Sequence, residues 1–384
     1  MAKTIGILTG GGDVPGLNTC IKAIALRAIE HGDRVIGIRR GWGGLVQYDP
    51  DDAETAASCI LPLTAEVVRT IDRSGGTFLH SSRINPAQTP TAELPEALKS
   101  AYASEGPFVD VTSHLLRSLS HLKIDALVPI GGPETLEYGL RMHAEGVPLI
   151  GVPQTMDNDV FGTDYCIGFS TAVSRSVEFI TQLRSAIGSH ERIGIVELFG
   201  RNSGETCLIS AYLSGVDRAV ISEVPFDPDR LARFLADDRK KSPSQYAIMT
   251  VSEGASVLEN ALKGPDAEFL QPRRAGGIGA LAAEEIKRRT GLGVIYQQLA
   301  YMMRSGPPDS LDRMVAMNFG ALAVDLIHEG QKGRLIILKE GRYGHDTVRV
   351  ITQGVKRVDV DTFYDKDQYR PKVSGVLGKP MFLY

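Results

Sequence analysis

Short apolar runs that close on glycine recur along this chain, and most are followed by helical periodicity. Thr4–Leu8 is the first. A run this short that ends in glycines reads as a strand buried on both faces. Asn18–Glu30 carries Ala, Ile and Leu at helical spacing and predicts a helix; Arg34–Ile38 predicts a second strand. This β–turn–α–β order calls for a parallel sheet with helices on both sides. The pattern returns as strand Ala126–Ile130, Gly131-Gly132, helix Thr135–Glu145 and strand Leu149–Val152. Arg192–Leu198 and Tyr246–Val251 read as strands that run into Gly200 and into Glu253-Gly254, and Leu335–Leu338 as one more. Ala87–Val111 is less regular and reads as an insertion over the surface. In open parallel sheets, ligands bind beyond the carboxyl ends of strands. The expectation is an α/β protein with one site assembled from several turns.

The length of 384 residues suits two domains, and 43% apolar with 23% charged residues is an ordinary globular balance. The net charge of −4, with acids and bases mixed along the chain, argues against a nucleic-acid tail or a membrane-binding face, so any anion site must be local. Cys20, Cys59, Cys166 and Cys207 form no C-x-x-C pair and read as free thiols of a reducing compartment. The first residues lack an apolar leader, and no window holds the roughly 18 apolar residues of a membrane span. A cytoplasmic location is the expectation.

The turns carry the chemistry. Thr9–Asn18 holds three successive glycines ahead of a helix, which lets backbone N–H groups and the helix N-terminus face an anion. It is neither a P-loop nor a dinucleotide fingerprint, and a plain tight turn would look the same. Gly75–Arg83 ends on an arginine able to grip phosphate bidentately, or to lie on the surface. Pro153–Asp159 places Asp157 and Asp159 beside Thr155 after a strand. One carboxylate could take a proton from a hydroxyl and the other hold Mg²⁺; an Asx-turn is the alternative. Glu197–Gly204 repeats the strand–Gly–Arg ending. Ser252–Ala255 repeats it with an acid whose carboxylate could accept bonds from sugar hydroxyls, and Tyr301–Gly306 sets an aromatic one helical turn from Arg304. Glycines, arginines and acids at strand ends suit a phosphorylated sugar and a polyphosphate.

In order and spacing, GGGDVPGLN, GGTFLHSSR, GGPET, PQTMDND, ERIGIVELFGR and YMMRSG resemble the phosphofructokinase family from Thr4 to about Arg313, and the ending Gly378–Phe382 is similar as well. The resemblance implies two doubly wound parallel-sheet domains with the active site in the cleft between them. Residues 1–168 with about 303–351 would bind the donor phosphates, and 169–302 with about 352–384 the sugar phosphate. It also implies a cytoplasmic glycolytic enzyme, a homodimer or homotetramer with shared sites. Asp157 would activate the 1-hydroxyl of fructose 6-phosphate, with Thr155 and Asp159 supporting it. Arg201 would stabilise the phosphoryl in flight. Gly12, Arg83, Glu134 and Gln154 would face the donor. Phe199, where the family usually has Met, would line the sugar pocket with Gly200 and Glu253. Tyr301, Arg304 and, from a neighbouring subunit, Arg192 would hold the 6-phosphate. Glu134 and Asp159 would be the residues for Mg²⁺.

Pro133, Gln154 and Ile295 depart from the family pattern, and Glu134 stands where the family's two kinds of donor user differ. Pro133 stands where an Asp helps hold Mg²⁺. Glu134 is an acid, as in pyrophosphate-using members, where ATP-using members have Gly. Gln154 stands where pyrophosphate-using members have Lys, and Ile295 where many have another arginine for the 6-phosphate. Three readings compete: a pyrophosphate-dependent phosphofructokinase, which Glu134 favours; an ATP-dependent one; and a catalytically weak binding or regulatory subunit, motivated by Pro133 and Gln154.

Overall fold

The computed structural model describes residues 2–102, 106–258 and 277–372, so the 378–382 ending lies outside the described residues. Eleven strands form its two main sheets: β1 (Thr4–Gly10), β2 (Arg34–Ile38), β3 (Ile60–Pro62), β4 (Ala126–Gly131), β5 (Ile150–Pro153), β6 (Ile193–Leu198), β7 (Arg218–Val220), β8 (Ala247–Ser252), β9 (Val294–Gln298), β10 (Arg334–Lys339) and β11 (Arg342–Thr347). The chain divides into two compact units. One takes the chain up to Thr155, then Val160–Gly168 and Ser305–Val355; the other takes Met156–Asp159, Phe169–Arg304 and the chain from Lys356 on.

The first unit is built on a seven-stranded sheet in the order β11-β10-β5-β4-β1-β2-β3. Its five inner strands run parallel, and the edge strands β3 and β11 are antiparallel to their neighbours. Strands β1 and β4 are buried along nearly their whole length, as glycine-bounded apolar runs should be. Register then decides where the turns fall. Gly10 pairs with Gly131, and Gly131 with Pro153, so the turns after β1, β4 and β5 leave one sheet edge side by side. Helix α1 (Leu17–Glu30) follows β1, and α2 (Pro133–Ala144) follows β4. Helix α2 starts two residues before the sequence expectation because Pro133, with its fixed φ and missing N–H, suits a first helical position.

The expectation that Ala87–Val111 lies over the surface is corrected. Leu94, Leu98, Val109 and Val111 are buried in one core cluster with Trp42, Leu115 and Tyr138. Short 3₁₀ turns, two-residue strands and a seven-residue helix, Glu96–Tyr102, follow one another here with no common period, which is why the segment reads as irregular.

The second unit holds a four-stranded, fully parallel sheet in the order β9-β6-β8-β7. Helix α3 (Phe169–Ser189) precedes β6, α4 (Glu205–Ser214) follows it, and α5 (Ile278–Thr290) precedes β9. Leu198 pairs with Ser252, and Gln298 with Glu197, so the turns beginning at Phe199, Glu253 and Leu299 also share one edge. All four cysteines are buried and free. Among the described residues no helix is long and apolar enough to cross a membrane.

The β1–β4 pair depends on bare backbone. A Cβ on Gly10 would lie 2.5 Å from Thr135 Oγ1 and 2.7 Å from its Cγ2, since the Thr135 side chain packs onto both strand ends. Gly10→Ala should therefore destabilise the fold by about 1–3 kcal/mol, the usual range for overpacking. The same change should cost clearly less in a Thr135→Ala background; equal losses by denaturant melts in the two backgrounds would refute the clash.

Candidate active site

In the first unit, the two glycine-rich segments interlock. Gly11 N–H donates to Ser82 O at 3.0 Å, Ser81 Oγ donates to Gly11 O at 2.7 Å, and Thr9 Oγ1 lies 2.9 Å from Thr77 Oγ1. Asn18 secures the far side, accepting from Phe78 N–H at 2.6 Å. Gln154 is buried and donates its amide to Gly12 O at 2.9 Å. The residue singled out as facing the donor thus spends its N–H₂ on the glycine turn itself, and acts there as a brace. Gly11, Ser82, Arg83 and Glu134 border a cavity of about 380 Å³ that runs back to Trp42, Tyr138 and Arg141. Arg83 and Glu134 are exposed at this cavity, Glu134 in the first turn of α2.

In the second unit, Asp157, Arg201 and Glu253 come together. The Arg201 backbone N–H donates to the Asp157 carboxylate, and the Arg201 guanidinium lies 3.8 Å from Glu253. Asp157 is half-buried, yet its carboxyl is pushed up from an ordinary 3.8 to about 7. Burial is the largest cause, followed by the negative charges of Asp159 and Glu253; the Arg201 N–H and guanidinium pull the other way. Asp159 is buried as well. Its Oδ2 accepts from Asn202 at 3.3 Å, while its buried Oδ1 has no hydrogen-bond donor among the described residues. An oxygen left in that state is suited to a cation.

The sugar-phosphate candidates divide into two groups. Phe199 N–H donates to Met303 Sδ at 3.3 Å, and its ring meets that of Tyr301 edge-on, with 5.9 Å between centroids. The Arg304 guanidinium lies over the Tyr301 ring at 4.6 Å. Gly200, at φ 136, sends its carbonyl to Ser222 Oγ and Ser252 Oγ, both at 2.6 Å. These residues sit with Glu253 at the carboxyl edge of the sheet. Arg192 does not. It precedes β6 at the amino end of that strand and is exposed there, packed against Gly293. A six-residue strand spans about 20 Å, so Arg192 cannot join the Phe199 turn of its own chain.

Sequence reading missed the residues that hold the Asp157 turn. Asn158 is fully buried at φ 54 and donates to Glu205 Oε1 at 3.2 Å; Thr206 Oγ1 donates to Met156 O at 2.7 Å. The signal for Asn158 was present, because asparagine between two aspartates is a residue that tolerates the left-handed region. Nothing in the sequence pointed to Glu205. Glu197, inside the ELFGR motif, proves structural: fully buried, it accepts from Tyr296 OH, Gln298 Nε2 and the N–H groups of Gly277 and Gly279.

Comparison with known proteins identifies the family and the fold. The family model described as phosphofructokinase matches residues 4–327. A pyrophosphate--fructose 6-phosphate 1-phosphotransferase of Dictyoglomus thermophilum is 33% identical over 371 residues, which cover 94% of this chain and 99% of that one. The ATP-dependent 6-phosphofructokinase 3 of Streptomyces coelicolor is 34% identical over 338 residues, covering 87% of this chain and 90% of its own. Among solved structures, the pyrophosphate-dependent phosphofructokinase of Nitrosospira multiformis superposes with a TM-score of 0.79 at 16% identity, covering all of this chain and 93% of its own, which establishes a common fold. The chain belongs to the phosphofructokinase family.

Proposed function

We propose that this protein transfers a phosphoryl group from pyrophosphate to the 1-hydroxyl of fructose 6-phosphate. The observation that carries the reading is Asp157: a carboxylate raised to about 7 and held by the Arg201 backbone N–H beside a second aspartate. A base poised near neutrality takes a proton from a sugar hydroxyl as it attacks, and returns it easily. Phosphoryl transfer otherwise asks for positioning and charge neutralisation. Arg201 supplies mobile positive charge next to the base, with its side chain largely exposed. The turn at Gly12, braced by Gln154, presents its backbone to donor phosphates, with Arg83 at the rim. Phe199, Glu253, Tyr301 and Arg304 line the sugar side, Thr155 precedes the base, and Arg192 of a second copy completes the 6-phosphate grip in a homo-oligomer.

Mg²⁺, when bound, would supply positive charge that offsets the charge of the donor phosphates. Asp159 fits it through its buried, undonated Oδ1. No cluster of three or more His, Cys, Asp or Glu forms among the described residues. Pro133 cannot serve, and Glu134 remains a candidate ligand or a barrier to nucleotide.

A second reading has its own support. The cavity behind Glu134 is larger than pyrophosphate needs and reaches Trp42 and Arg141, which favours ATP as donor. Product formed from pyrophosphate but not ATP, with Mg²⁺ and fructose 6-phosphate present, is the expected result; product with ATP alone would reverse the donor assignment. Failure with both donors despite fructose 6-phosphate binding would make the chain a binding subunit.

Asp157→Ala should lower kcat by roughly 10³-fold or more while sugar-phosphate binding survives. In the parent enzyme kcat/KM should fall about tenfold per pH unit below about 7, because the base must be ionised. The same shift sets a stability trend. Its folded value lies above the unfolded one, so this group's contribution is full below about pH 4 and is lost as pH rises through about 7. Asp157→Asn should thus raise Tm more at pH 8 than at pH 5. A shift independent of pH would count against the buried-charge account.

Shared sites are open to complementation. Arg192→Ala and Asp157→Ala chains, each inactive alone, should regain activity when unfolded and refolded together. Persistent inactivity of the mixture would place Arg192 outside the site.

A further inference from the structure

The Asp157 turn rests on a buried ion pair. Asn158, between the two aspartates, has no exposed surface and holds φ at 54. Its amide is tied to Glu205 Oε1, and Glu205 opens α4 with 1% of its side chain exposed. The other oxygen, Glu205 Oε2, lies 3.4 Å from Lys356 Nζ, whose side chain is 13% exposed. Two residues later, Val358 N–H donates to Glu223 Oε1 at 3.0 Å, and Glu223 also receives the Gly204 N–H. The segment starting at Lys356 is therefore tied to the first residue of α4 and, through Glu223, to Gly204 at the end of the loop that carries Arg201.

A buried pair of this kind is a poor source of stability, since desolvation offsets most of the attraction and an apolar pair would serve as well. It does fix geometry. Removing the ammonium takes a countercharge away from the buried Glu205 carboxylate, and a carboxylate that rotates or draws in water in response loosens its hold on Asn158. Asparagine tolerates the left-handed region, and the bond to Glu205 fixes where its side chain points.

We propose that Lys356 is a positioning residue, which acts through Glu205 and Asn158 to hold the carboxylates of Asp157 and Asp159 in register for catalysis. This rests on the reading of Asp157 as the base. A displacement of about 1 Å at a reacting group can cost roughly 10²-fold. Lys356→Met should lower kcat at least about tenfold, with KM for fructose 6-phosphate changed less than about threefold. Hydrogen exchange measured by mass spectrometry should rise in the peptide spanning residues 156–160 and stay unchanged in β6 and β8. Lys356→Arg should restore most of both. Should Lys356→Met fold poorly, Glu205→Gln with Lys356→Met removes both charges yet keeps an acceptor for Asn158, and should recover protection at 156–160. Unchanged exchange at 156–160 in Lys356→Met, an equal fall in Lys356→Arg, or a loss confined to KM would overturn the proposal. If the parent protein transfers no phosphoryl group from either donor, the functional reading fails, and the exchange measurement alone decides whether Lys356 holds the turn.

Discussion

The second unit is organised around one electrostatic problem: several carboxylates must share a small volume without collapsing into their neutral forms. Asp157 and Asp159 stand two residues apart, and Glu253 adds its charge to theirs. Three responses are visible. One is to let Asp157 keep its proton to about neutrality. Another is to aim a backbone N–H and a guanidinium from residue 201 at it. The last is to give Asp159 a neutral amide donor from Asn202, which steadies it without cancelling its charge. A carboxylate fully neutralised by arginine would be a weak base, and an isolated buried one would stay protonated.

The first unit solves a different problem, which is to bring three turns together at one sheet edge without side chains in the way. Thr135 packs where Gly10 and Gly131 leave room for it, and its carbonyl accepts from Trp42 Nε1 at 3.2 Å. Gln154 adds a neutral brace to Gly12 O. Holding the turn with an amide braces it without adding charge there.

Most of the scaffold was legible in the sequence, for a physical reason. Strands buried on both faces must be apolar throughout, and turns that meet phosphate need glycine, so both leave marks that a single chain displays. Thr4, Arg34, Ala126 and Leu335 each fall within two residues of an observed strand start. The Ala87–Val111 segment was misread because its buried residues follow no period, and the strand Val294–Gln298 went unnoticed because Tyr296, Gln297 and Gln298 dilute its apolar character. The pairing of Asp157 with Arg201 was legible as motif, but its support was not: Glu205 and Lys356 are 151 residues apart in number, and only tertiary structure sets them side by side. The position of Arg192 at the opposite strand end could be inferred from chain order alone, since it precedes the strand whose far end bears Gly200.

The chain enters and leaves its two units repeatedly, and this has a bearing on how it is made. Strand β10 joins the first sheet beside β5, yet it is separated from β5 by the whole 169–304 stretch of the second unit. During vectorial synthesis at about 5–20 residues per second, the amino-terminal strands emerge early but lack their neighbour for several seconds or longer. Until then β5 presents an open, apolar edge of the kind that invites wrong partners. The 169–304 stretch has no such delay within itself. The second unit's central sheet can therefore close while the first is still waiting, reversing the order in which the ribosome delivers them.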